Sequence, residues 1–208
     1  QACHNLGLTH LDQRDAIEAI ADFGRALKIR PDDPDVLRNL GRAWRLKGDP
    51  LKAIENYRLA IQRRPDFAEA HFNLAIVHLL LGQFREGWEE YAWHWRRAGA
   101  PDRPCPMPAW NEVNPAGRTV FLCAEQGIGD ELFFLRFAPQ LRDRGAGSIV
   151  YQPSPKIASL LSRVPLFSRI AALDEKPASG DCQLSVGDLP RLLGHARADQ
   201  IPPPLALA

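Results

Sequence analysis

The sequence predicts an α plus α/β chain, in which an array of helical pairs is followed by a parallel βαβ segment. Three observations support this prediction. A motif recurs every 34 residues in the first half, a proline-rich stretch follows it near residue 100, and the hydrophobic period changes at Thr119. The 208 residues are enough for two small domains, each with its own core.

The composition excludes several protein classes. Charged residues make up 25% of the chain and hydrophobic residues 45%, which is ordinary for a folded, water-soluble protein. Lys and Arg total 26 against 25 for Asp and Glu, so the excess of basic charge that nucleic-acid binding needs is missing. The best apolar run, 74–81, is shorter than the ~18 residues of a membrane span. No nucleic-acid partner and no membrane span are therefore predicted.

The cysteines bear on compartment and on metal binding. Cys3, Cys105, Cys123 and Cys182 are far apart and form no C-x-x-C pair. This spacing favours unpaired thiols, a reducing compartment and a cytoplasmic location. No spacing typical of metal ligands is present, and no cofactor is implied.

The 34-residue motif starts at Asn5, Asn39 and Asn73, where the sequence reads NLG, NLG and NLA. This period is typical of arrays of helical pairs. The second copy also carries small, aromatic and proline residues at fixed positions: Leu37, Leu40, Gly41, Trp44, Ala53, Tyr57 and Pro65. The pattern resembles the tetratricopeptide repeat family, and the resemblance implies three units of two antiparallel helices in residues 1–97.

The same pattern predicts the helix boundaries and the packing within a unit. The small residues Gly41 and Ala53 allow two helices to approach closely, while large residues such as Tyr57 fill the space between them. Six helices are predicted, over residues 2–13, 15–29, 35–47, 50–63, 69–81 and 84–97.

The last predicted helix is rich in aromatic residues. Trp88, Tyr91 and Trp95 share one face at i, i+3, i+7 spacing. This face favours docking on the next domain, and a ligand-stacking site is the alternative.

The three asparagines occupy equivalent places on successive first helices, which line the concave surface of tetratricopeptide arrays. Asn is a mediocre helix former, so its recurrence suggests a use for the amide. An amide both donates and accepts, which suits holding the backbone of an extended peptide. The arrangement of Asn5, Asn39 and Asn73 resembles the asparagine ladder that holds polypeptide acceptors in O-linked N-acetylglucosamine transferases. The alternative is that Asn is simply common at this position.

A predicted linker separates the array from the second domain. Residues 98–116 contain five prolines and keep neither a helical nor a strand period. Trp110 within the linker is expected to anchor it against a neighbouring domain.

Residues 117–208 are predicted to form a Rossmann-like parallel βαβ half-domain. Apolar runs at 119–124, 148–152, 169–173 and 182–185 are typical of buried parallel strands, and helices are predicted at 131–144 and 156–163. The chain starts at Gln1 within a repeat. Shortly before its end it contains three consecutive prolines at 202–204, and this segment resembles a connector. We therefore expect the second half of this domain to lie outside the chain.

A glycine loop follows the first strand and opens a helix, which is where open α/β sheets bind ligands. It reads Gln126-Gly127-Ile128-Gly129-Asp130. A dinucleotide-binding loop is excluded because Leu132 stands where the third glycine is required. Together with the apolar segment 133–137, the loop resembles the start of heptosyltransferase-like glycosyltransferases of GT-B architecture. The order of repeats and loop is similar to bacterial tetratricopeptide proteins that carry such a domain.

This resemblance implies an inverting sugar transfer from a nucleotide sugar to an acceptor positioned by the array. Asp130 would be the general base, and Gln126, Gly127 and Gly129 would contact substrate. The donor site would lie mainly in the missing half, so the chain alone is expected to be inactive. The alternative for Asp130 is a helix cap. The alternative for the protein is a non-catalytic interaction scaffold.

Overall fold

A computed structural model describes residues 1–98, 115–124, 127–178, 182–195 and 197–205. The chain divides into two compact units, Gln1–Pro101 and Asp102–Ala208. Across the described residues, no helix combines the length and apolar character that crossing a membrane requires. Most of the predicted linker, with Trp110, lies outside the described residues.

The first unit is an array of six α-helices within residues 1–98, as predicted. Consecutive helices pack in pairs, and the first helices of neighbouring pairs also touch. The helices are α1 (Ala2–Asp12), α2 (Ala16–Ile29), α3 (Pro34–Lys47), α4 (Pro50–Arg63), α5 (Ala68–Leu80) and α6 (Phe84–Tyr91).

Aspartates and a glycine set several of the helix ends. Asp15, Asp33 and Asp49 each accept a hydrogen bond from a backbone N–H in the first turn of the following helix. At the end of α3, Gly48 has a φ of 88°, a left-handed conformation that costs glycine little. These local signals explain why the helix boundaries follow from the sequence.

Within the first two pairs, a glycine faces an aromatic ring. A Cβ on Gly7 would lie 2.7 Å from Phe23, and one on Gly41 would lie 2.6 Å from Tyr57. Both rings are 0% exposed. The 34-residue period therefore repeats a contact between a small and a large residue, as predicted.

The third pair ends differently from the prediction. Instead of one helix over 84–97, α6 stops at Tyr91 and the chain continues as a 3₁₀ helix, Ala92–Arg96. The tighter winding accompanies a stack of Trp93 on His71, with ring centroids 4.0 Å apart. The prediction that Trp88 and Trp95 share one α-helical face is therefore wrong, because the α-helix ends at Tyr91. Docking of the aromatic residues on a second domain stays a prediction.

The second unit contains a four-stranded parallel sheet in the order β3-β2-β1-β4. The strands are β1 (Thr119–Cys123), β2 (Ser148–Gln152), β3 (Arg169–Ile170) and β4 (Cys182–Ser185). Parallel pairing, which the apolar runs predicted, is confirmed for all three neighbouring pairs. The closer match to a Rossmann-like half-domain stays a prediction.

The predicted helix over 131–144 begins earlier and is interrupted. It consists of α7 (Ile128–Leu135) and α8 (Pro139–Asp143). Pro139 has no N–H to donate to the Leu135 carbonyl, so the α-helical ladder cannot continue through it. The predicted helix over 156–163 is likewise shorter, a 3₁₀ turn at Pro155–Ile157 followed by α9 (Ala158–Leu161).

The third strand is shorter than the predicted 169–173. After β3 the side chain of Gln152 donates hydrogen bonds to the carbonyls of Ala172, Leu173 and Glu175. These bonds hold the chain in a turn, so strand pairing ends early. A last short helix, α10 (Leu189–Leu192), follows β4.

Candidate functional site

The first candidate site is the exposed side of α1, α3 and α5, which we call the first-helix face. Rows of residues 34 positions apart follow this face. One row is Leu8, Arg42 and Ile76, and all three side chains are half-buried. A half-buried side chain can pack on a partner without leaving the core.

The predicted asparagine row does not present three equivalent amides. Asn5 is exposed and Asn73 is half-buried, whereas Asn39 is 2% exposed. The Asn39 amide nitrogen lies 3.0 Å from Nε2 of His4, and its oxygen accepts a hydrogen bond from Arg42 at 3.2 Å. The amide of Asn39 is thus engaged inside the array. Peptide binding by Asn5, Asn39 and Asn73 stays a prediction.

Sequence reasoning did not identify the basic residues of this face. Arg38, Arg42 and Arg45 lie on one side of α3 at i, i+4, i+7 spacing. Burial lowers the pKa of Arg38, and repulsion from the Arg42 charge lowers it further. The spacing was visible in the sequence, but the overall charge of +1 concealed the local concentration.

The second candidate site is the end of β1 in the α/β unit. Gly127 has a φ of 84° and forms the N-cap of α7, which begins at Ile128. Asp130 is the third residue of this helix and is exposed. Gly127 therefore takes the capping position that was considered for Asp130, and a side chain at Gly129 would meet open space. Gln126 lies outside the described residues.

The order of strands indicates that the carboxyl end of β1 is a candidate ligand site. Because β1 lies between β2 and β4, the chain reverses its direction of travel across the sheet beside β1. Crevices at such a switch point, outside the carboxyl ends of the strands, are the usual ligand sites of open α/β sheets. Helix α7 touches the turn Val186–Asp188 that follows β4. Gly127, Gly129 and Asp130 thus lie in one turn at this edge.

A carboxylate next to Asp130 was missed by sequence reasoning. Glu131 is 0% exposed and accepts a 2.5 Å hydrogen bond from the Tyr151 hydroxyl. It also accepts bonds from the Ser154 backbone N–H at 3.1 Å and the Ser154 hydroxyl at 2.5 Å. Glu131 therefore ties the first turn of α7 to the loop after β2. The sequence signal was a carboxylate at an otherwise apolar position of the helix.

Comparison with known proteins agrees with the repeat pattern. A profile of the tetratricopeptide repeat family matches residues 4–66 and 47–91. Protein FlbA of Caulobacter vibrioides is 29% identical over 144 residues, which cover 66% of this chain and 24% of FlbA. The chain thus spans about a quarter of the length of this curated relative.

Two solved structures are similar to part of the chain. The tetratricopeptide domain of Sgt2 from Aspergillus fumigatus shows 22% identity and a TM-score of 0.46, covering 50% of this chain and 68% of that one. The first such domain of Spaghetti, solved with an HSP90 peptide, shows 17% identity and a TM-score of 0.44, covering 46% and 75%. With the profile match, the helical pairs and the recurring contacts, we conclude that residues 4–91 consist of tetratricopeptide repeats.

Proposed function

We propose that the tetratricopeptide repeats bind a polypeptide segment on the first-helix face and that the chain acts as a protein-interaction scaffold. The row of Leu8, Arg42 and Ile76 carries this proposal, because half-exposed apolar and basic side chains alternate along one surface. The amides of Asn5 and Asn73 flank it and can pair with peptide backbone.

Selection of peptides from a random displayed library on the full chain tests the proposal. We expect enrichment of extended peptides whose affinity falls several-fold in Asn73→Ala and Asn5→Ala, since each loses about one hydrogen bond. Gln62→Ala is the matched control, because Gln62 is an exposed amide on α4. A library that yields no binder, or binders equally sensitive to Gln62→Ala, would contradict the proposal.

Asn39→Ala is expected to behave differently from these variants. Its amide is buried against His4, so the substitution removes internal hydrogen bonds. We expect a loss of about 1–2 kcal/mol in the free energy of unfolding. Affinity should change only through the stability of the array.

We propose as a second candidate that the longer protein containing this chain transfers a sugar from a nucleotide donor. The exposed carboxylate of Asp130 at the end of β1 supports this proposal, together with the resemblance of the 126–130 loop to heptosyltransferase-like enzymes. Asp130 would accept the proton of the acceptor hydroxyl, and Gly127 and Gly129 leave its approach unobstructed. Gln126 would contact the substrate.

The second candidate is tested by adding nucleotide sugars to the longer protein. We expect transfer or donor hydrolysis, lost in Asp130→Asn with unchanged unfolding. Asp143→Asn is the matched charge control, because Asp143 is an exposed carboxylate at the end of α8. A longer protein that neither binds nor turns over any nucleotide sugar would favour the scaffold alone.

A further inference from the structure

A cavity of about 430 Å³ lies between α4 and the end of α5, and we call it the α4–α5 cavity. Its apolar wall consists of Leu51, Ile54 and Leu59, of which Leu51 is 71% and Leu59 37% exposed. A second cavity of about 380 Å³ adjoins it and shares Arg58 and His78. Apolar side chains that line a concave site favour an apolar ligand.

The α4–α5 cavity also contains a hydrogen-bond acceptor. His78 is 3% exposed, and it lines both cavities. Its Nδ1 lies 2.5 Å from Oε1 of Gln83, and because an amide oxygen only accepts, Nδ1 carries the proton. In the neutral ring Nε2 is then an acceptor, and it has no hydrogen-bond partner in the described part of the chain. A ligand with one N–H or O–H donor would satisfy it.

The second repeat indicates which ring suits this position. Trp44 stands 34 residues before His78 and packs against a hydrophobic cluster that includes Ile54. The Nζ atoms of Lys47 and Lys52 lie 4.9 Å and 4.2 Å from the centroid of the Trp44 ring. The third repeat has the smaller imidazole at this position, and a cavity lies beside it. An indole from outside would restore the combination of ring and cation that the second repeat holds internally.

Arg58 is positioned to supply the cation. It is exposed, it lines both cavities, and within the described ranges it has no carboxylate oxygen within 4.0 Å. Among aromatic rings, the indole attracts a guanidinium most strongly. The indole N–H only donates, so it also matches Nε2 of His78. A single indole therefore meets the requirements of the apolar wall, the acceptor and the cation.

We propose that the α4–α5 cavity binds the side chain of a tryptophan in a partner polypeptide. The indole contacts Leu51 and Leu59, and its N–H donates to Nε2 of His78. The guanidinium of Arg58 stacks on the face of the ring. The adjoining cavity gives room for the residues next to the tryptophan, and a free indole compound would leave that space empty.

The test uses the full chain, labelled with ¹⁵N, and two capped peptides. One peptide is Gly-Ser-Trp-Ser-Gly, and the other carries 1-methyltryptophan, which keeps the ring and lacks the N–H. Changes in the amide chemical shifts of α4 and α5 report binding and give each Kd. We expect the tryptophan peptide to bind about fivefold more tightly, because the methylated ring loses one hydrogen bond.

The variants locate the peptide in the cavity. His78→Phe keeps a ring and removes the acceptor, so the two peptides should then bind within about twofold of each other. Leu51→Ser should weaken binding of the tryptophan peptide about fivefold, because apolar contact is lost. Ile17→Ser is the matched control, since Ile17 stands 34 residues earlier and is 69% exposed. Both serine variants change exposed side chains, so they keep the test decisive even if His78→Phe does not fold.

Several outcomes would overturn the inference. The wild type could bind neither peptide, bind both equally, or bind free indole as tightly as the tryptophan peptide. The preference could survive in His78→Phe, or Ile17→Ser could weaken binding as much as Leu51→Ser. Asn5→Ala and Asn73→Ala should leave binding unchanged, because neither residue lines the cavity. A failure of this inference therefore leaves the proposed binding on the first-helix face intact.

Discussion

Both ring nitrogens of His71 face hydrogen-bond acceptors, the nearer of which is a carboxylate oxygen of Glu90. Nδ1 lies 2.5 Å from Oε2 of Glu90, and Nε2 lies 2.9 Å from the carbonyl oxygen of Pro65. Both hydrogen bonds form only when the imidazole carries two protons. When it carries both protons, the ring connects α5, α6 and the turn between the second and third repeats.

This relationship predicts a pH dependence of stability. Burial on its own would lower the pKa of His71, but the hydrogen bonds to Glu90 and Pro65 outweigh burial and the Arg96 charge, so the pKa is raised. A raised folded-state pKa stabilises the fold fully below about pH 6.5, and this contribution is lost as the pH rises through the folded-state value. The free energy of unfolding, measured by urea titration and followed by helical circular dichroism, should therefore decrease above about pH 6.5.

The difference in unfolding free energy between wild type and His71→Gln isolates the contribution of His71 and is therefore the decisive quantity. We expect this difference to be largest below about pH 6.5 and to diminish as the pH rises above that value. Glu90→Gln removes the carboxylate partner of His71, so it should also reduce this pH-dependent stabilisation relative to wild type. A difference that does not vary with pH would show that folding leaves the pKa of His71 unchanged, which would contradict the prediction.

Gly41→Ala should destabilise the array. The new Cβ would lie 2.6 Å from a ring atom of Tyr57, which is 0% exposed and cannot move aside. We expect a loss of about 1–3 kcal/mol from overpacking, against a gain of up to about 1 kcal/mol in helix propensity. Gly24→Ala is the control, since its Cβ meets nothing within 4 Å and should stabilise the helix. The urea midpoints of the two variants are thus expected to move in opposite directions.

Glu131→Ala should destabilise the α/β unit. It leaves the Tyr151 hydroxyl, the Ser154 hydroxyl and the Ser154 N–H without their acceptor. We expect a loss of roughly 3 kcal/mol and faster hydrogen exchange at the Ser154 amide. Tyr151→Phe removes one of the three bonds and should cost about 1 kcal/mol. Equal effects of the two variants would mean that the Ser154 bonds contribute nothing.

Asp22 predicts a sensitivity to acid in the first repeat. It is 0% exposed and paired with Arg25 and with Nδ1 of His10. Burial on its own would raise the pKa of Asp22, but the bonds from Arg25 and His10 outweigh it and lower the pKa. The stabilisation is present above about pH 4 and is lost as the pH falls through the folded-state value. Below about pH 4, the free energy of unfolding of Asp22→Asn should depend less on pH than that of wild type. The same pH dependence in both proteins would contradict this prediction.

The repeat array followed from the sequence because its determinants are local or periodic. Asp15, Asp33 and Asp49 cap helices from within the same turn, and the small-to-large contacts recur at a fixed spacing. The parallel strands were recognisable as short apolar runs. Each of these signals is carried by residues close together in the chain.

The features that the sequence did not predict depend on contacts between residues that are far apart in the chain. Asn39 has the same register as Asn5 and Asn73, and its burial depends on His4, a residue of the preceding repeat. The buried role of Glu131 depends on Tyr151 and Ser154, which belong to another strand and loop. Neighbouring sequence cannot reveal such partners.

In the third pair the glycine changes sides. There Gly87 on α6 faces Leu79 of α5, whereas in the earlier pairs the glycine is on the first helix and the ring is on the second. Duplicating residues 34–67 would therefore lengthen the array by another hairpin with the Gly41–Tyr57 type of contact. A duplicated final hairpin would instead repeat the reversed contact, with its glycine on the second helix and the residue corresponding to Leu79 on the first.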